Sequence, residues 1–155
     1  MDLDRIQPKL IIPIRLLRQI IKEAEAAYPL ESFGVMLGDI DGDSYFVRRI
    51  SPLRRGLTAR DFFILDPNEW MEAILSGRHK GLSYIGLYHS HPNASSLPSN
   101  PDIHRMMECP GEVWLIVALS SKGEVEYTAY TLATPTLALL RVEVLLTHEA
   151  HDIRE

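Results

Sequence analysis

A chain of 155 residues suits a single domain, 1–155, large enough to bury a sizeable core, and 46% apolar against 24% charged residues is an ordinary composition for a soluble globular protein. The formal net charge of -5 argues against nucleic acid as a partner, because phosphate binding needs a basic surface. No apolar run reaches membrane-spanning length, Met1-Asp-Leu-Asp-Arg-Ile6 lacks the basic and apolar regions of a signal peptide, and the single Cys109 excludes an intrachain disulfide, so the expected location is the cytoplasm with no membrane partner.

Leu10-Ile-Ile12 reads as a short strand. Pro13 then opens a helix to about residue 28, with Leu17, Ile20, Ile21, Ala24 and Tyr28 at helical spacing, and Pro29 stops it. Glu31, Phe33, Val35 and Leu37 alternate on the next strand, which sets an acid at its start on the same face as apolar residues. Taken alone, such an acid is a surface charge. Asp41-Gly42 signals a hairpin with 44–50 as the return strand. Residues 51–60 read as a loop carrying Arg54, Arg55 and Arg60 as a solvated face, and 61–65 as a strand. Asp66-Pro67 starts a helix with Glu69 three residues after the cap; it runs to about Ser76, stops at Gly77, and offers Trp70, Met71, Ile74 and Leu75 to the core.

Residues 82–88 form an aromatic and β-branched strand that continues into His89-Ser-His91 and ends at Pro92, which cannot donate to a ladder. Alternate strand residues share a face roughly 6.6 Å apart, so His89 and His91 point to one side in line with Ile85 and Leu87, and Ser90 to the other. Asn100-Pro101 reads as a helix start with Asn100 as N-cap, which puts Asp102 in the first turn facing back towards the histidines. Ser99 and Asp102 also match a capping box, a reading that Pro101 disfavours by its preference for the first helical position. Two imidazoles and a carboxylate make an open three-ligand metal site of the kind that activates a water. A helix to about Glu108, strands over 113–119 and 124–132, and an apolar segment over 137–146 complete a layered α/β (α+β) domain.

Other chemistry-bearing residues fit less well. His148-Glu-Ala-His151 is one residue short of a His-Glu-x-x-His motif and sits in a polar terminal stretch; His79 and His104 read as solvated. Cys109 reads as a packed thiol with no base beside it. A nucleobase deaminase would need His-x-Glu with Pro-Cys-x-x-Cys, which is absent, and a two-histidine, one-carboxylate iron oxygenase would not need Glu31 or Ser99.

His89-Ser-His-Pro92, followed after six residues by Ser99 and after two more by Asp102, resembles the signature of the JAMM (MPN+) zinc metalloproteases, in their minimal bacterial or archaeal form. Pro29-Leu-Glu31-Ser-Phe-Gly34 before an apolar strand is similar to the same family's upstream Pro-x-Glu-x-x-Gly, and the likeness extends from about residue 13 to residue 131. The resemblance implies a mixed, curved sheet flanked by helices, with layering like that of the cytidine deaminases. It implies zinc as cofactor on His89, His91 and Asp102, Glu31 as general base, and Ser99 as the donor to the oxyanion. It further implies an isopeptidase acting after the C-terminal Gly-Gly of a ubiquitin-like or sulfur-carrier protein, since the chain lacks room for the insertions that grip polyubiquitin. Residues 61–65 and the loop before them are the expected edge for that tail. Two rival readings are a member like the DNA-repair-associated JAMM proteins and a non-catalytic MPN-type scaffold.

Overall fold

The computed structural model describes residues 7–148. Seven strands form one mixed sheet in the order β1 (Lys9–Pro13), β3 (Ser44–Pro52), β2 (Phe33–Asp41), β6 (Ser83–Pro92), β7 (Val113–Leu119), β8 (Val125–Leu132) and β9 (Leu139–Thr147). The sheet curves far enough for β9 to pair in parallel with β1, which closes it. The β1–β3 and β6–β7 pairs are also parallel, and the remaining pairs of the closed sheet are antiparallel. A separate two-stranded ribbon joins β4 (Leu57–Thr58) to β5 (Phe63–Ile64). No helix among the described residues is long and apolar enough to cross a membrane.

The central strands are apolar on both sides because both faces are covered. Val113, Leu115 and Val117 of β7 join Leu16, Leu17 and Ile20 of α1 (Ile14–Ala27) in one core, and Trp114 and Ile116 point into a second. That second core includes Phe33, Val35 and Leu37 of β2, Ala73 of α2 (Pro67–His79) and Met106 of α3 (Asn100–Glu108). The described chain is thus a sheet between α1 on one face and α2 with α3 on the other, as the strand and helix pattern led us to expect.

Several local readings need correction. Ile85 faces the core on the α1 side, whereas Leu87 faces the other. Leu37 pairs with Tyr84 and Met36 with Gly86, so Ile85 is the extra residue of a bulge, and strict alternation is lost there. From Leu87 onward it resumes, and Leu87, His89 and His91 share a face. The 51–60 segment is not all loop: Ser51 and Pro52 extend β3, and Leu57–Thr58 is β4, while the strand expected over 61–65 shortens to Phe63–Ile64.

In α2, Gly77 is not a stop. The helix continues to His79, and Gly77 is a buried contact where an added Cβ would lie 2.9 Å from Leu37 Cδ1. The helix approaches the sheet through the small pair Ala73 and Gly77, so Trp70 and Ile74 flank the contact half-buried, and Met71 and Leu75 turn outward, 45% and 44% exposed. Asp66 caps α2 by accepting from the Asn68 N–H at 2.9 Å; Glu69 instead accepts the backbone N–H groups of Arg54 and Arg55. Cys109 is exposed rather than packed. Of the terminal histidine motif, residues 149–151 lie outside the described residues.

The glycine of the upstream motif has a packing reason. Gly34 pairs with Tyr88 across β2 and β6, and the Tyr88 ring lies over it, so that a Cβ would come within 2.3 Å of the ring. Tyr88 is fully buried and donates its hydroxyl to Glu23 Oε1 at 2.7 Å, which ties α1 to the strand that carries the histidines. Gly34→Ala must therefore displace a fixed ring. Overpacking of this kind costs roughly 1–3 kcal/mol, and a lowered urea midpoint with unchanged slope is expected; an unchanged midpoint would show that the ring relaxes freely.

Candidate metal centre and its base

β6 delivers His89 and His91 from its C-terminal end, and the first turn of α3 delivers Asp102. All three are buried, at 0%, 5% and 3% exposure. Their ligating atoms converge: His89 Nε2 lies 3.1 Å from Asp102 Oδ1, His91 Nε2 lies 2.9 Å from Asp102 Oδ2, and the two Nε2 atoms are 3.0 Å apart. The Ser95 carbonyl can only accept, so at 2.7 Å it assigns the proton of His91 to Nδ1 and leaves the Nε2 lone pair for the centre. Atoms of this kind packed together away from water need a shared positive charge, which a protonated imidazole or a bound metal ion would supply. Two imidazoles and a carboxylate, with no lysine or arginine of the described residues paired to them, are a donor set suited to a divalent metal, and the three residues could hold one.

The α3 terminus differs from expectation. Ser99, not Asn100, is the N-cap, and the capping box set aside on account of Pro101 is formed: Ser99 Oγ accepts from the Asp102 N–H at 3.2 Å, and Asp102 Oδ2 accepts from the Ser99 N–H at 2.9 Å. Proline is tolerated in the second helical position as well as the first, because the N–H it lacks has no partner within the helix. The box and the metal cluster are not alternatives, since one carboxylate serves both and the cap fixes its direction.

Glu31 lies just before β2, 3% exposed, with its backbone held from the other side. Its N–H donates to the Ala59 carbonyl at 2.8 Å, and its carbonyl accepts from the Thr58 hydroxyl. Ser90, on the face of β6 opposite the histidines, accepts from the Ser32 N–H at 2.8 Å and from the Ser32 hydroxyl at 3.1 Å. The serine between the two histidines therefore anchors the residue beside the acid. Among the described residues, two buried side-chain polar atoms lack a hydrogen-bond partner, Glu31 Oε1 and His89 Nδ1, and both belong to this site. Buried polar atoms are rarely left so, and finding both of them here fits a functional centre.

The remaining contacts are aromatic. His89 sits 5.0 Å from the Phe63 ring and 5.3 Å from that of Trp114, whose indole N–H reaches Glu112 at 3.3 Å. Neither Phe63 nor Trp114 stood out in the sequence; the parallel pairing of β6 with β7 was the signal that would have placed Trp114 beside Leu87 and on the histidine face. Ala59 and Ser95 act through their backbone carbonyls and Thr58 through its hydroxyl on the Glu31 carbonyl, and nothing in the sequence marks these three.

Electrostatics separate the groups. Burial would raise the Asp102 carboxyl, but in metal-free protein His89 and His91 take protons on Nε2 and donate to it, which overrides burial and holds Asp102 well below the usual carboxylate range. Burial pushes His89 down; for His91 the hydrogen bonds to Asp102 and to the Ser95 carbonyl outweigh burial and push it up. Glu31 is pushed up to about 8, chiefly by burial, with the nearby Asp102 and Asp61 adding to it and His91 opposing. The Cys109 thiol is also pushed up, first by partial burial and then by the Glu112 carboxylate, which leaves it a poor nucleophile.

Residues 13–132 match the family described as prokaryotic homologs of the JAB domain. A protein of Pyrococcus furiosus named Desampylase is 32% identical over 124 residues, which cover 80% of this chain and 81% of that one. The Desampylase of Haloferax volcanii is 34% identical over 89 residues, 57% of this chain and 62% of that protein. Among solved structures, a Desulfitobacterium hafniense protein superposes with a TM-score of 0.79 at 26% identity, covering 90% of this chain and 94% of its own. A Salinibacter ruber protein gives a TM-score of 0.64 at 26% identity over 89% and 92% of the two chains.

The raised Glu31 carboxyl has a sign that can be checked in metal-free protein. Its folded value, about 8, exceeds its ordinary value of 4.5, so its contribution to stability is full below 4.5 and is lost as pH rises through 8. In chelator-treated protein, Glu31→Gln should gain on the wild type by several degrees in Tm across that interval. Parallel Tm curves for the two proteins would show that Glu31 ionises without penalty.

Proposed function

The chain belongs to the prokaryotic JAB-domain family and is a JAMM-type metallopeptidase, and we propose that it hydrolyses the amide bond after the C-terminal Gly-Gly of a ubiquitin-like or sulfur-carrier protein, with zinc as its cofactor. The observation that carries this reading is the convergence of His89, His91 and Asp102 beside a buried carboxylate with a free oxygen. His89, His91 and Asp102 would hold the zinc through Nε2, Nε2 and the carboxylate. When bound, zinc supplies Lewis acidity, which makes water a competent nucleophile near neutral pH.

This chain's own residues carry the remaining steps. Glu31 takes the proton of the attacking water at Oε1, the oxygen with no competing partner, and then delivers it to the departing amine. Burial favours the protonated form of Glu31, which makes it a willing acceptor in the first step. Ser99 Oγ already accepts the Asp102 N–H, so its own hydroxyl proton is left to donate to the oxyanion. A donor in such a position is worth roughly 2.7–4 kcal/mol. Phe63 and Trp114 shield His89 from water on its outer side.

The substrate class rests on the two Desampylase relatives, whose name denotes removal of a protein modifier, and on the ribbon beside the base. β5 pairs with β4, and no other strand among the described residues pairs with it; Leu57, Phe62 and Ile64 around it are exposed. An extended tail adding to such an edge would gain backbone hydrogen bonds while its end passes the Glu31 carboxylate. Glycine at that end would leave the carbonyl unobstructed by side chains as it nears the centre. Arg54 and Arg60 are exposed next to the ribbon and would suit an acidic carrier, while Arg55 is already paired with Glu72 at 2.6 Å.

Protein purified without chelator should carry one zinc per chain, and His89→Ala with Asp102→Ala should lose it. Full stoichiometry in the double variant would move the metal elsewhere. Glu31→Gln should keep the metal and lose on the order of 10²–10⁴ in rate. Mass spectrometry of a ubiquitin-like carrier extended beyond Gly-Gly should show cleavage directly after the second glycine; equal cleavage after Val-Val would overturn the substrate class and leave the hydrolytic chemistry standing.

A further inference from the structure

The loop from Asn93 to the cap of α3 is exposed at Asn93, Ala94, Ser95 and Leu97, yet Ser96 in its middle is 5% exposed. Polar contacts with β8 hold it there. Glu126 Oε1 accepts both the Ser96 N–H at 3.0 Å and the Ser96 hydroxyl at 3.2 Å, and the Thr128 hydroxyl donates to the Ser96 carbonyl at 2.7 Å. The Ser96 N–H and the Ser95 carbonyl are the two ends of one planar peptide group. That carbonyl is the acceptor of the His91 Nδ1–H. A single rigid amide thus stands between a carboxylate on β8 and an imidazole on β6.

We propose that Glu126 is a positioning residue for the metal centre, acting on His91 through the Ser95–Ser96 peptide, with Thr128 fixing the far side of Ser96. The inference rests on the reading of His91 as a metal ligand. It assigns Glu126 two effects. As an anchor, it holds the peptide plane so that the carbonyl meets Nδ1, which sets the tautomer and turns Nε2 towards the centre. As an anion, it polarises the amide: a charge accepting from the N–H draws electron density onto the carbonyl oxygen, which strengthens the next hydrogen bond and raises the donor strength of Nε2. Carboxylates that contact a ligating histidine directly do the same, and removing them costs 10–100-fold in metal affinity or activity. With an amide interposed, about tenfold is expected. His89 Nδ1 has no such partner, so of the two histidines His91 is the one oriented by a hydrogen bond at Nδ1.

The test is zinc affinity by competition with a chromophoric chelator, alongside the NMR resonance of the His91 Nδ1–H in zinc-loaded protein. Glu126→Ala should bind zinc about tenfold more weakly, and its Nδ1–H should shift upfield and exchange faster with solvent. Glu126→Gln keeps an acceptor for the Ser96 N–H and loses the charge, so it should fall between wild type and Glu126→Ala. Thr128→Ser should match the wild type where Thr128→Val does not. A His91→Ala control separates the two readings. If His91→Ala binds zinc as tightly as the wild type, the ligand assignment fails and the inference fails with it. If His91→Ala loses zinc while Glu126→Ala binds like the wild type with an unmoved Nδ1–H, the inference alone is overturned. Glu126 lies on an exposed stretch of β8, and matching Tm values for the Gln and Ala variants would show that the fold is not the cause.

Discussion

Two imidazole nitrogens and a carboxylate, all buried and held within about 3 Å of one another, form a cluster that needs a shared positive charge. The surrounding fold is arranged to hold it. The histidines arrive on the central strand β6, buried on both faces and flanked by β2 and β7. The aspartate arrives at the start of α3, where the helix terminus itself directs the carboxylate. The acid that would move the proton comes from a third direction, before β2, with its backbone fastened to the β4 segment. No two of these groups are neighbours in sequence beyond the histidine pair, so the site exists only in the folded chain.

Economy of parts is visible in the residues between the obvious ones. Ser90 turns away from the centre and anchors Ser32, which fixes the approach of Glu31. Gly34 is small so that Tyr88 can cross it and reach Glu23. Asp102 Oδ2 accepts from the Ser99 N–H and faces His91 at the same distance, 2.9 Å. A capped helix end and a metal ligand set look like competing explanations of one aspartate when only spacing is available, and the two prove to be a single arrangement.

Much of this was legible before any coordinates. The alternation in β2, the Asp-Gly hairpin and the limits of β7 follow from periodicity and turn chemistry, and the residues His89, His91 and Asp102 are brought together as their spacing implied. What escaped reading was what depends on local irregularity or on backbone groups. The bulge at Ile85 breaks the period of two, and no side-chain pattern marks it. Gly77 looked like a helix end because glycine usually is one, but here close contact with Leu37 outweighs its poor propensity. Met71 and Leu75 suit a core by composition, yet the small residues on the adjoining face bring the helix in and leave them outside. The Ser95 carbonyl, which orients His91, belongs to a residue whose side chain plays no part in that bond.

We propose that His89, His91 and Asp102 bind one zinc and leave a position open to water. X-ray absorption at the zinc edge of the purified protein tests it most directly. Only nitrogen and oxygen neighbours at about 2.0–2.2 Å are expected, two of them with the outer-shell scattering of imidazole rings, and the same spectrum in Glu31→Gln. A sulfur neighbour at about 2.3 Å, which would place Cys109 in the site, or a single imidazole, would contradict it.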